Sequence, residues 1–378
     1  MLKKGDHIMN KHTSKLLALV LAVSMIGSAL LTGCGAGNTS AATSSTEPTS
    51  SAGTVSSGEV AEGQETSDKP VIGISWAYNT RDEDVESEYA SYTAVIEAAG
   101  GTAVELPQIT ISDVEYDDNG ILLDSYVEES GMLKQEYADM VKSCNFDHSN
   151  VAEALEDVDG VFFIGGEDIS PSLYATPMKV DNEGEGINAT RDISDYTLMA
   201  YCIDQDIPTL AACRGEQMMG IVSGCTFVQD IPNYYKSLNA TYDDTHRMPP
   251  DAPDRDYARH DIELVQGASK WMEDIVGAAT LDNVSSWHHQ CIQSVEGTDL
   301  TVVAKKTVDG VDIIEGIERQ DKTFCLGVQF HPENDVGLAV YDKTPEKALC
   351  DVDTCLRFFE TLVEYAAADN TQTEKAAA

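Results

Sequence analysis

The chain has 378 residues, of which 42% are hydrophobic, as is typical of a globular protein with a buried core. Its formal net charge of −41, from 65 acidic and 24 basic residues, repels polyanions, so nucleic acid is excluded as a main partner. The nine cysteines contain no CxxC pair, which favours reduced core residues over a disulfide framework.

Residues 1–33 have the pattern of a secretory signal peptide. A basic start precedes an apolar run from Leu16 to Leu31, which is too short for a membrane-spanning helix. A translation start at Met9 would leave this pattern intact. The run ends in Leu31-Thr-Gly-Cys34, which resembles a bacterial lipobox and implies that Cys34 is lipidated. We therefore expect an exported protein, anchored by lipid to the outer face of the bacterial cell membrane.

Residues 34–69 are almost entirely Gly, Ser, Thr, Ala and Glu. This composition buries too little apolar surface to fold, and it predicts a flexible tether. The folded domain is predicted over residues 70–366, and residues 367–378 are predicted to be a disordered tail.

The domain opens with a predicted strand, a helix and a second strand at 71–75, 86–99 and 102–107. This order is the βαβ unit of a parallel sheet. Further strands are predicted at 160–164, 209–212, 224–229, 300–304, 311–315 and 324–330, and further helices at 151–159, 192–205 and 351–366.

An apolar strand ends at Cys213, between the small residues Ala211 and Gly215, and a helix-like segment follows from Gly215. A tight turn at this point would hold the sulfur clear of the backbone, in the manner of a nucleophile elbow. The amino end of the next helix would favour the thiolate. A cysteine that ends a buried strand can also be an inert core residue, so the interpretation depends on its surroundings.

Two other predicted strands end in residues that suit such a nucleophile. One ends in His331 and Glu333. Because alternate residues of an extended chain project on the same side, Glu333 could orient His331 while His331 accepts the proton of Cys213. The other strand ends in the pair Gly165–Gly166, where glycine lets backbone N–H groups approach a ligand, as an oxyanion hole requires.

Together these motifs resemble the class I glutamine amidotransferase superfamily and, more narrowly, its gamma-glutamyl hydrolase branch, the peptidase C26 group. The resemblance covers residues 70 to 365 and implies an α/β fold, a three-layer sandwich with a mostly parallel central sheet. The matching residues lie at 165–174, 191–192, 212–217, 286–290 and 327–333.

The resemblance implies hydrolysis of a gamma-glutamyl amide bond through a thioester on Cys213, with His331 and Glu333 completing the triad. It places the backbone N–H groups of Gly166 and Arg214 in the oxyanion hole. The residues that it implies for substrate binding are Gly165, Gln217, Ser286, His288, His289 and Gln290.

The chain departs from the commoner family pattern at three places. Glu216 stands where Met is usual, and Phe330 stands where Trp is usual. Residues 108–150 are acidic and irregular where the resemblance implies a shorter connection, so we interpret them as an insertion beside the active-site end of the sheet. Because a lid or pocket wall could lie there, the insertion bears on the choice of leaving group.

No cofactor and no metal are expected from the sequence. The adjacent His288 and His289 would point apart on a strand, and no Cys or carboxylate lies at ligand spacing beside them. Two other functions remain open: a surface lipoprotein that binds gamma-glutamyl compounds without cleaving them, and a glutaminase-type amidotransferase domain. The sequence also leaves open whether the chain forms a homodimer.

Overall fold

The computed structural model describes residues 69–78, 82–143, 145–174, 186–248 and 258–377. The predicted signal peptide, Cys34 and all of the tether except residue 69 lie outside the described residues, so their roles stay predictions. Among the residues that are described, no helix is long and apolar enough to cross a bilayer.

Strands and helices alternate through most of the described chain, as an α/β fold requires. The strands are β1 Val71–Ile74, β2 Thr102–Glu105, β3 Gly160–Phe163, β4 Thr209–Ala212, β5 Thr226–Val228, β6 Ala258–Leu264, β7 Thr280–Ser286, β8 Cys291–Ser294, β9 Thr301–Val308, β10 Val311–Glu318 and β11 Cys325–Val328. The helices are α1 Glu83–Ala98, α2 Gln135–Val141, α3 Val151–Ala154, α4 Ala189–Gln205, α5 Arg214–Ser223, α6 Ile231–Ser237, α7 Met272–Val276, α8 Pro332–Val340 and α9 Val352–Ala377.

The central sheet has nine strands in the order β2-β1-β3-β4-β11-β10-β9-β6-β7. The strands from β2 to β11 pair in parallel, and those from β11 to β7 pair antiparallel. Strands β5 and β8 form a separate two-stranded sheet.

Alternate side chains of the parallel strands pack into two different cores. Phe162 of β3 faces a core shared with α1 and α9, whereas Val161 and Phe163 face a core shared with α4 and α5. Because helices cover both faces, β3, β4 and β11 are buried along their whole length and read as continuous apolar runs. The predicted α/β sandwich with its three layers is confirmed.

The 108–150 insertion is more ordered than its sequence predicts. It contains α2 and short 3-10 turns, and its apolar side chains join the core beside α4. The backbone amides of Ile109 and Leu122 donate to the hydroxyls of Ser194 and Thr190 on α4, at 3.0 Å each. These anchors were not predictable, because each one joins positions far apart in the sequence.

The secondary-structure elements differ from prediction in several places. The helix predicted at 151–159 stops at Ala154. The last helix continues to Ala377, into the predicted disordered tail, because residues 367–377 contain neither Gly nor Pro to end it. Strands β6 and β7 were missed, since polar residues on their exposed positions hide the apolar alternation.

Candidate active site

The predicted nucleophile elbow is present at Cys213. Strand β4 ends at Ala212, Cys213 adopts φ 51° and ψ −107°, and α5 begins at Arg214, one residue earlier than predicted. A positive φ is costly for a residue other than glycine and is found at functional sites. The turn needs a small residue at Gly215, where a Cβ would lie 2.7 Å from Cβ of Phe163.

The predicted pairing of His331 with Glu333 is also present. Nδ1 of His331 lies 2.6 Å from Oε1 of Glu333, and both side chains are buried. The structural reason differs from our prediction, because β11 ends at Val328 and Glu333 lies in the first turn of α8, after Pro332. The pairing therefore depends on the start of a helix and not on the alternation of a strand.

Cys213 and His331 meet at Gly165. A Cβ on Gly165 would lie 2.7 Å from Cε1 of His331 and 3.6 Å from Cβ of Cys213, so a larger residue would displace the imidazole. Burial lowers the pKa of His331, but the negative charges of Cys213 and Glu333, together with the hydrogen bond to Glu333, outweigh it and raise it to about 10. The imidazole is therefore cationic at neutral pH.

Trp287 packs against His331. Its ring centroid lies 4.3 Å from that of His331, with the planes tilted by 32°. The sequence analysis missed this residue, although it lies inside the matching 286–290 segment. The stacked indole restricts how the imidazole can turn.

The glycine pair is held by a buried arginine. Nη2 of Arg191 donates to the carbonyl oxygen of Gly165 at 2.6 Å. A Cβ on Gly166 would lie 1.8 Å from Nη1 of the same arginine, so the guanidinium occupies the space that a side chain would need. This packing is why the position beside the predicted oxyanion hole must be glycine.

Arg191 belongs to a buried ionic network with Arg214. Both Nε atoms donate to Oδ2 of Asp195, at 3.1 Å from Arg191 and 3.0 Å from Arg214. Arg214 also pairs with Oδ1 of Asp192 at 2.8 Å and donates to the carbonyl oxygen of Glu167 at 2.6 Å. The sequence analysis noted residues 191–192 as a motif but assigned them no role. The network ties the glycine-pair loop to the start of α5.

Two of the predicted substrate-binding side chains, those of Ser286 and His288, are buried and have partners in the interior. Ser286 is fully buried and donates to the carbonyl oxygen of His246 at 2.9 Å. His288 is buried against Glu315, with its Nε2 3.7 Å from Oε1 of the carboxylate. Their role in substrate binding stays a prediction, although both side chains already have partners in the interior. Both side chains extend into the interior, because their partners, the backbone of His246 and the carboxylate of Glu315, lie there.

Gln217 and Gln290, two further predicted substrate-binding residues, form hydrogen bonds that involve the 286–290 loop. Nε2 of Gln217 donates to the carbonyl oxygen of Gln290 at 3.2 Å and to Oε1 of Gln329 at 3.1 Å. Nε2 of Gln290 donates to the carbonyl oxygen of Gln229 at 3.1 Å. The amide nitrogens of both glutamines therefore hold the loop in place.

His289 bridges two carboxylates near the glycine pair. Its Nε2 lies 3.1 Å from Oδ1 of Asp168, and its Nδ1 lies 3.3 Å from Oδ2 of Asp230. Burial lowers the pKa of His289, but hydrogen bonds to the two carboxylates outweigh it and raise it to about 9. A cationic, partly exposed histidine thus lies in the loop that the sequence assigned to the substrate pocket.

Glu216 is more unusual than its sequence suggested. It is fully buried beside Gly327, and within the described part of the chain neither of its carboxylate oxygens has a hydrogen-bond partner. Burial, and then the charges of Glu315 and Cys213, raise its pKa well above the usual value. Burial therefore favours the uncharged form of this acid, which lies directly after the elbow.

The raised pKa of His331 predicts a pH-dependent stability. Because the folded value of about 10 lies above the unfolded value of about 6.5, the contribution of His331 is complete below pH 6.5 and is lost as the pH rises through 10. Urea unfolding in reducing buffer, from pH 6 to pH 10, should show the difference between wild type and His331→Gln shrinking steadily.

His148→Gln is the matched control, because it removes a half-exposed pair with Asp113 and should change stability by less than about 1 kcal/mol at any pH. A difference between wild type and His331→Gln that is constant over the whole pH range would contradict the assigned ionisation of His331.

Comparison with known proteins identifies the family. The sequence model of the Peptidase C26 family matches residues 133–333, more than half of the chain. Protein NtpR of Enterococcus hirae is 32% identical over 181 residues, which are 47% of this chain and 68% of that protein. A putative glutamine amidotransferase of Schizosaccharomyces pombe is 30% identical over 189 residues, which are 50% of this chain and 65% of that protein.

More distant matches were found as well. The gamma-glutamyl-gamma-aminobutyrate hydrolase PuuD of Escherichia coli K12 is 23% identical over 194 residues, which are 49% of this chain and 68% of that enzyme. A solved structure of a glutamine amidotransferase from Thermotoga maritima aligns with a TM-score of 0.37 and 14% identity, over 80% of this chain and 97% of that one. On the match over residues 133–333, the chain belongs to the peptidase C26 family.

Proposed function

We propose that the protein is a cysteine hydrolase that cleaves the gamma-glutamyl amide bond of gamma-glutamyl amines, amino acids or short gamma-glutamyl peptides. The observation that carries the proposal is the meeting of Cys213, on its strained elbow, with the His331–Glu333 pair at Gly165. A nucleophile, a base and a residue that orients the base are the parts that acyl transfer requires.

The reaction begins with attack of the Cys213 thiolate on the side-chain amide carbon of the glutamyl group. His331 gives its proton to the departing amine, which leaves a gamma-glutamyl thioester on the sulfur. His331 then takes a proton from water, and the hydroxide attacks the thioester and releases glutamate. Glu333 holds Nδ1 of the imidazole throughout at 2.6 Å, so Nε2 is the nitrogen that exchanges the proton.

We assign the backbone N–H groups of Gly166 and Arg214 to the oxyanion hole. Arg214 is the first residue of α5, so its amide has no acceptor within the helix. Arg191 fixes the carbonyl group of Gly165 and thereby the direction of the Gly166 N–H, which belongs to the same planar peptide unit. One such donor is worth about 3 kcal/mol in the transition state.

The glutamyl group brings one ammonium and one carboxylate, and both need partners when they leave water. We assign recognition of these charges to the loop that carries His289, which is cationic and pairs with Asp168 beside the glycine pair. Gln217 and Gln290 hold this loop by their hydrogen bonds to the backbone. PuuD, a distant relative, is named as a gamma-glutamyl-gamma-aminobutyrate hydrolase, which supports a gamma-glutamyl substrate.

A second candidate is a glutaminase that passes ammonia to a synthase, because several relatives are named as putative glutamine amidotransferases. The two functions share the nucleophile and differ in the leaving group. A binding protein without turnover is the third candidate, but a pure binder does not need His331 paired with Glu333 beside a cysteine.

Substitutions in the triad test the proposed chemistry. We expect Cys213→Ala to abolish turnover of a gamma-glutamyl amide while the protein stays folded. His331→Ala should lower kcat by about 10⁶-fold and Glu333→Gln by about 10⁴-fold, because Glu333 orients the base and does not itself transfer the proton. Steady-state release of glutamate is the measurement.

Cys202→Ala is the matched control, since Cys202 is also fully buried but lies on α4, and it should keep wild-type kcat. Undiminished turnover by Cys213→Ala would exclude Cys213 as the nucleophile.

The leaving group is tested by comparing substrates. We expect kcat/KM for a gamma-glutamyl polyamine and for gamma-glutamyl-gamma-aminobutyrate to exceed that for glutamine. The acidic insertion should favour the substrate with the cationic polyamine over gamma-glutamyl-gamma-aminobutyrate, whose leaving group carries a carboxylate. We expect this preference in kcat/KM to be less than about fivefold, because Glu115, Asp117 and Asp118 are exposed. Added salt should remove it.

Neutralising Glu115 and Asp118 should have the same effect as salt, whereas neutralising the exposed Asp353 on α9 should have none. If glutamine is the best substrate, the glutaminase function is favoured instead. If the preference for the polyamine does not change with salt concentration, the insertion does not cause it.

A further inference from the structure

Three histidines surround one carboxylate in the interior, outside the catalytic triad. Oε1 of Glu315 lies 3.2 Å from Nε2 of His246, 3.1 Å from Nε2 of His260 and 3.7 Å from Nε2 of His288. All four side chains are at most 1% exposed. We call His246, His260, His288 and Glu315 the Glu315 cluster.

The cluster is assembled from four separate parts of the chain. Glu315 lies on β10 and His260 on β6, while His288 follows β7 and His246 precedes β6. The sequence predicted no metal because no carboxylate lies near the 288–289 pair in the chain. The fold brings the carboxylate to His288, so the premise of that prediction does not hold.

The hydrogen bonds made by Nδ1 of His260 and of His288 leave unfavourable electrostatics between their Nε2 atoms and the carboxylate of Glu315. Nδ1 of His260 lies 3.1 Å from the carbonyl oxygen of Thr245, and Nδ1 of His288 lies 2.8 Å from that of Gln290. A carbonyl can only accept, so both histidines carry hydrogen on Nδ1. A neutral ring then points the lone pair of Nε2 at Glu315, whose oxygens also carry only lone pairs.

His246 relieves little of this conflict. Its Nδ1 faces the hydroxyl of Thr245 at 3.4 Å, so its Nε2 can carry hydrogen and donate to Oε1 of Glu315. Within the described residues, neither oxygen of Glu315 has a well-formed hydrogen bond. A buried carboxylate without such partners is costly, so a positive charge has to lie between the ring nitrogens and Glu315.

We propose that the Glu315 cluster binds a zinc ion through Nε2 of His246, Nε2 of His260 and Oε1 of Glu315, with His288 beside these three ligands. A tetrahedral zinc with bonds of 2.0–2.1 Å holds neighbouring ligand atoms about 3.3 Å apart. The two nitrogen–oxygen separations of 3.2 and 3.1 Å lie close to that value. The ligand atoms of His246, His260 and Glu315 also lie within 4.8 Å of one another.

The surroundings of the ligands agree with a metal. Histidines that bind metal through one nitrogen usually donate the other N–H to a carbonyl or carboxylate, as His260 does here. Imidazoles with one carboxylate suit zinc, whereas calcium and magnesium prefer oxygen ligands. The three ligands are buried among protein side chains, which suits a structural ion.

The ion would stabilise the loop that we assign to substrate recognition. The carbonyl oxygen of Gln290 accepts from both Nδ1 of His288 and Nε2 of Gln217. Gln217 also donates to the side chain of Gln329, whose backbone N–H donates to the carbonyl oxygen of Glu315. Loss of the ion should therefore loosen the 286–290 loop against α5.

Metal analysis of the purified full-length protein tests the proposal. After expression with added zinc and gel filtration, we expect about one zinc per chain in wild type and in Cys213→Ala, which cannot bind metal through the catalytic thiol. Glu315→Gln and His260→Gln should lose most of it. His148→Gln, which changes an exposed histidine, should keep it.

A measurement on wild type covers the case in which the cluster variants do not fold. Treatment with a zinc chelator should lower Tm, and added zinc should restore it, because a ligand that binds the folded state stabilises it. Cobalt(II) should give the absorption of a tetrahedral site in Cys213→Ala. Metal-free wild type whose Tm does not respond to chelator or zinc would show that protons alone hold the cluster, and the proposal would be wrong.

Discussion

The active site depends on two arginines buried behind the nucleophile. Arg191 and Arg214 share Asp195, and both are excluded from solvent. Charges in such a place are tolerated because each guanidinium has several acceptors, and removing one partner of a buried pair typically costs about 3–5 kcal/mol. An apolar core of equal size could fill the space, but it could not hold the carbonyl oxygens of Gly165 and Glu167 in fixed directions.

The sheet order brings the reacting groups together. Strands β3, β4 and β11 are neighbours, and their carboxyl ends lead to the glycine pair, to Cys213 and to His331. Parallel pairing aligns these ends, with Phe163 opposite Ala211 and Ala212 opposite Val328. A ligand at this edge would therefore meet the proposed nucleophile, base and oxyanion donors at once, as is usual for open α/β sheets.

Much of this site could be predicted, because its signals are local in the sequence. Small residues around Cys213 indicated the elbow, and the pairing of His331 with Glu333 was predicted even though a helix start and not a strand produces it. The inward turn of Ser286 and His288 could not be predicted. It depends on Glu315 and on the backbone of His246, which come close to the 286–290 loop only after strands that are distant in the sequence have paired.

The central claim is that Cys213 carries a covalent glutamyl group during turnover. Its most direct test is intact-protein mass spectrometry of Glu333→Gln, mixed with a gamma-glutamyl amide and quenched in acid, since a weakened base should let the thioester accumulate. The account predicts an added glutamyl mass that maps to Cys213 and is absent when Cys213→Ala is introduced as well. Consumption of the substrate by the Glu333→Gln protein, with no adduct at any time point and undiminished by Cys213→Ala, would contradict it.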